Sequence, residues 1–140
     1  GKILFERYAN AHFSQAVAEA VAKNDSLLDH EQDCLGMGHH QAGGYLAERW
    51  RLGDDIRSVI QWHHDPQNCP GDEHRELVKL VHVADYICHK LGLGRSGNPL
   101  PVYDIEVLAE LHVTGDTIAR MIDPIKEQTD KSKLLLSLVL

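Results

Sequence analysis

Glu73-His-Arg-Glu-Leu-Val-Lys-Leu-Val-His-Val-Ala-Asp-Tyr-Ile-Cys-His-Lys-Leu91 is the stretch from which the fold can be read. Leu77, Leu80, Val81, Ala84, Ile87 and Cys88 recur at intervals of three and four, with no Pro or Gly, which predicts one long amphipathic helix. The same reading extends outward in both directions. Upstream, Pro66, Pro70 and Gly71 mark residues 65–72 as a loop. Before it, Ile56, Val59 and Ile60 predict a helix from Asp54 to His64, with Asp54 as its cap. His39 to Arg51 predicts another, presenting Ala42, Tyr45, Leu46, Ala47 and Trp50. Ser26 is placed to cap a short helix from Leu27 to Leu35, and Phe5 to Lys23 predicts the first. Downstream, Gly92 to Pro101 reads as a loop, followed by helices over about Ile105 to Leu111 and Gly115 to Glu127. No alternating strand pattern occurs, so the class is all-α.

Composition narrows the function. A chain of 140 residues that is 43% hydrophobic suffices for one domain with a real core. Fourteen basic residues stand against 21 acidic ones, a formal net charge of −7. With no Lys/Arg-rich run, neither a nucleic-acid backbone nor an anionic membrane surface is an expected partner. The apolar segment Leu134-Leu-Leu-Ser-Leu-Val-Leu140 is too short to span a bilayer and reads as a packing or partner-contacting end. Three scattered cysteines, Cys34, Cys69 and Cys88, form no CxxC pair, which fits a reducing, cytoplasmic setting. Cys88 reads as helix packing.

Ten histidines are many for this length. Four residues suggest a metal site: His40, the adjacent His63 and His64, and Asp85. Imidazole with carboxylate suits a divalent ion, and Fe, Mn, Ni, Zn and Mg all stay open as its identity. Neighbouring side chains on a helix point about 100° apart, so His63 and His64 can serve one ion only near a helix end. Asp85, on an apolar helix, is expected to be buried and so to need a cation or a histidine partner. His82 and His89 share its face, either as orienting partners or as surface histidines on a solvated stripe. The competing reading is that Asp85 merely pairs with a histidine while His63 and His64 are exposed helix-end residues favoured by the helix dipole. His12, His30, His74 and His112 are given no role. No GxSxG, P-loop, GxGxxG or HExxH motif occurs.

Three segments carry a family resemblance. Glu31 with Leu35-Gly-Met-Gly-His-His-Gln-Ala-Gly-Gly-Tyr-Leu-Ala-Glu-Arg-Trp50, then Ile60-Gln-Trp-His-His-Asp-Pro66, then Leu80-Val-His-Val-Ala-Asp85 closely resemble the HDOD family. These are bacterial all-helical relatives of the HD metal-dependent phosphohydrolases. The likeness runs from Gly1 to at least Gly94. Gly1-Lys-Ile-Leu4 resembles the tail of the His-Asp-Ile-Gly-Lys stretch that follows the family's signature pair. The chain is therefore expected to be the C-terminal part of an HD-like bundle, with the first half upstream.

By that resemblance His40 is the histidine of an HxxxG motif with Gly44. His63 and His64 are the double histidine, Asp85 a further ligand, and Lys2 a contact to substrate phosphate. Two departures bear on activity. Asp65-Pro-Gln-Asn-Cys-Pro-Gly71 lacks the Gly-Tyr-Pro segment of the HD-GYP phosphodiesterases, and the His-Asp pair is not in this chain. Two functions follow as expectations. One is a signal-transduction output module that binds a signalling protein or a small phosphorylated ligand, with or without metal. The other is a metal-dependent phosphohydrolase active only in a longer protein. The oligomeric state is not legible.

Overall fold

The computed structural model describes residues 1–94, 96–101 and 103–139, with side chains described as far as Lys133. The described residues are all helical, with eight α-helices and no strand. The side chains of the Leu134–Leu140 segment, expected to contact a partner, lie outside the described residues.

The first predicted helix is two. α1 (Lys2–Tyr8) and α2 (Asn10–Lys23) meet at Ala9, whose φ of −140° and ψ of 34° break the helix. Phe5 and Phe13 show why. Eight residues apart on one straight helix they would point about 80° apart. Across the break their rings come to 5.8 Å and both enter the core. α3 (Leu27–Leu35) begins as expected, with the Ser26 hydroxyl accepting from the Leu28 N–H. Together with α4 (His39–Arg49), these helices enclose a first core of Phe5, Phe13, Ala16, Ala20, Leu27 and Ala42.

α5 (Asp54–Trp62) is capped by Gly53, not by Asp54. Asp54 is already helical and pairs with Arg57 at 3.0 Å. After a 3-10 turn at Pro66–Asn68, α6 (Arg75–Lys90) matches the predicted long helix in extent. Its phase differs. Val78, His82, Val83 and Ile87 are the buried stripe, whereas Leu77 and Leu80 are largely exposed. Asp85 lies two positions from both Val83 and Ile87, on the opposite side of the helix, and is exposed, contrary to expectation.

α7 (Ile105–Glu110) is capped by the Asp104 carboxylate, which accepts from Glu106 and Val107. α8 (Gly115–Val139) runs on past the expected end at Glu127, through Pro124. Pro124 and Arg120, whose carbonyl loses its helical donor, are both exposed. A second core of Val83, Ile87 and Val107, with Ile118 and Ile125 against it, joins α6, α7 and α8.

Candidate metal centre

The two cores meet through α4, α5 and α6, and glycines set how closely. A Cβ at Gly43 would lie 2.7 Å from Cγ2 of Ile60 and 3.1 Å from the Gly1 nitrogen. A Cβ at Gly1 would overlap the His39 carbonyl outright, at 1.7 Å. Bare backbone at these positions lets the start of α4 press against α1 and α5 together. The end of α5 is thereby brought to the start of α4.

α5 stops at Trp62, so His63 and His64 both lie past the last helical residue and are free of the 100° separation. Their ring centroids are 4.1 Å apart. His63 does two things at once. Its Nδ1 lies 3.1 Å from the Val59 carbonyl and 3.0 Å from that of Ile60, the open acceptors at the end of α5. Donation from Nδ1–H satisfies them and leaves Nε2 as a lone-pair nitrogen. His82 locks the same corner from below. It is buried, its Nδ1–H donating to the His63 carbonyl at 2.7 Å and its Nε2 accepting from the Asp104 N–H at 3.0 Å. His82 therefore fixes the backbone of His63 and does not orient Asp85.

Across the gap stands His39. Its backbone N–H and its Nδ1–H both donate to Oε2 of Glu31, each at 2.7 Å. Its Nε2 faces Nε2 of His64 at 3.0 Å. One ring nitrogen from each of His39, His63 and His64 lies within 4.8 Å of the others. Burial, reinforced by neighbouring cationic groups and imidazoles, pushes His39 and His64 down to about 2 and lowers His63 as well. All three are neutral, the form that ligates.

His40, the ligand implied by the resemblance, stands outside this group. Its ring folds over Gly38, and its Nδ1 is buried without a hydrogen-bond partner. His39 and Gly43 satisfy HxxxG spacing as well as His40 and Gly44 do, and only packing distinguishes the registers. Asp85 lines the cavity beside the cluster, about 320 Å³, but is not among the three grouped nitrogens. Lys2 lines it too, with Nζ donating to the Ser96 carbonyl at 2.8 Å. His89 is on the same wall, its Nε2 facing the Asn98 carbonyl at 2.5 Å.

Two residues were missed in the sequence. His39 was masked by its twin. Glu31 was quoted within the resemblance without a role, and its position eight residues before His39 says nothing of contact until α3 docks beneath α4. The donor set suits a metal: two of three imidazoles have Nδ1 committed to an acceptor, which leaves Nε2 as the lone-pair nitrogen that a ligand needs.

The all-helical fold and the three-imidazole cluster are consistent with an HD-related domain. Among protein families, the HDOD domain matches residues 1–66. Over that stretch the match agrees with the resemblance read from the sequence. No curated protein and no solved structure matches the chain. None of the described helices is long and apolar enough to cross a membrane.

Proposed function

We propose that this chain serves as an HDOD-type signalling output module that holds one divalent transition ion on His39, His63 and His64. Its business is binding, not turnover. The observation that carries the reading is the three-imidazole group with Nδ1 of His39 and His63 already committed. A nitrogen-only set favours Zn, Fe or Ni over the oxygen-seeking Mg. A binuclear hydrolase also needs an oxygen ligand to bridge its metals. Here Glu31 is engaged by His39, and Asp85 stands outside the grouped nitrogens. The partner favoured by the cavity is a small phosphorylated ligand, with the Lys2 ammonium on the wall to meet its charge.

The runner-up is a phosphohydrolase completed by residues outside this chain, with Lys2 and Asp85 as the observations in its favour. A bound ion would then supply Lewis acidity toward a phosphoryl oxygen. Metal content by plasma mass spectrometry, after reconstitution under reducing conditions with Zn, Fe, Mn or Ni, tests the proposal. The full chain is expected to hold near-stoichiometric metal that His63→Ala/His64→Ala loses, and to leave bis(p-nitrophenyl) phosphate intact. Metal-dependent cleavage would favour the enzyme, and a wild-type chain that takes up no metal would remove the metal from the proposal.

A further inference from the structure

Glu31 is completely buried on α3. Its Oε2 takes both available donors from His39, while Oε1 is buried with no hydrogen-bond partner. Leaving one oxygen of a buried carboxylate bare is costly unless a positive charge compensates. Lys2 acts on Glu31 only from a distance, because its Nζ donates to the Ser96 carbonyl and not to Oε1. The open position for a cation is on the far side of His39, where Nε2 meets the rings of His63 and His64.

We propose that Glu31 is the counter-charge of the metal centre, a positioning residue that acts through His39. It fixes Nδ1–H so that Nε2 presents its lone pair, and its negative charge is balanced by a cation on that lone pair. This inference rests on the metal reading above. It adds that the fold carries an electrostatic debt in the metal-free state that the ion relieves. Glu31 therefore acts with opposite sign on the two states, as a residue that merely props up the packing would not.

The test is Glu31→Gln in the full chain, which keeps the shape and an acceptor for His39 but removes the charge. Co²⁺ uptake is followed by its visible absorption, Zn²⁺ affinity by competition with a chromophoric chelator, and metal-free Tm by thermal melting. The expected result is a loss of metal affinity of about 10- to 100-fold, with the metal-free Tm unchanged or raised. Affinity within about twofold of wild type would overturn the proposal, as would a parallel fall in metal-free Tm. A wild-type chain that binds neither ion defeats the metal reading itself, which is distinct from a wild type and variant that bind equally. Should Glu31→Gln fail to fold, Glu31→Asp decides: a Co²⁺-induced rise in Tm matching wild type supports the counter-charge, and no rise overturns it.

Discussion

An acceptor that holds the Nδ1–H of a neutral imidazole fixes its tautomer and leaves Nε2 free for a metal, and two of the three grouped histidines are held in this way. His39 gives Nδ1–H to Glu31 and His63 gives it to the end of α5. His40 commits neither and folds over Gly38. Alanine substitution should separate the adjacent pair. His39→Ala is expected to lower Zn²⁺ affinity at least 100-fold by competition titration, and His40→Ala to change it less than threefold. Equal losses would return His40 to the ligand set. A third substitution probes the support beneath them. His82→Ala should weaken Zn²⁺ binding about tenfold, because the His63 carbonyl and the Asp104 N–H both lose a buried partner.

At the scale of helices, the site exists because α4 approaches α5 at backbone distance. Gly43→Ala places a methyl 2.7 Å from Ile60 Cγ2, whereas Gly44→Ala meets Gln61 at 3.2 Å. The first should cost about 1–3 kcal/mol of stability, as overpacking does, and the second less, because its closest approach is 3.2 Å and not 2.7 Å. Denaturant unfolding ranks the two, and metal affinity should fall in the same order as α4 is pushed from α5. Helix positions along the chain were largely legible, from the period of apolar residues, Ser26 as a cap and the Pro and Gly breaks. The phase of α6 was not. Leu77, Leu80 and Ala84 make as good a stripe on paper as Val78, Val83 and Ile87, and only the second core, built from α7 and α8, selects between them.

Across the whole molecule, the buried imidazoles set how stability responds to acid. His39 and His64 stay neutral down to about 2, whereas an unfolded histidine takes up a proton near 6.5. Below 6.5 the unfolded chain therefore binds more protons than the folded one, and stability falls as pH falls. Two such groups contribute roughly 2–3 kcal/mol per pH unit once well below 6.5. Glu31 is shifted the opposite way, so the folded chain protonates it first and partly offsets the loss. Two strongly lowered groups outweigh one raised group. The metal-free Tm is expected to be flat above pH 7 and to drop steadily between pH 6.5 and 5. A Tm that holds or rises over that interval would mean that the imidazoles are not buried neutral.

The sequence by itself determined the all-helical class, the place of most helices and the likeness to HDOD domains over residues 1–66. Those properties are local: they depend on the spacing of apolar residues, on caps and on short motifs within one segment. Tertiary structure alone decided that His39 and not its neighbour joins His63 and His64, that Asp85 faces solvent, and that Glu31 lies beneath His39. Each of these turns on how one helix docks on another. Docking is set by side-chain volumes and close glycine contacts between residues distant in sequence, which periodicity along a single segment does not encode.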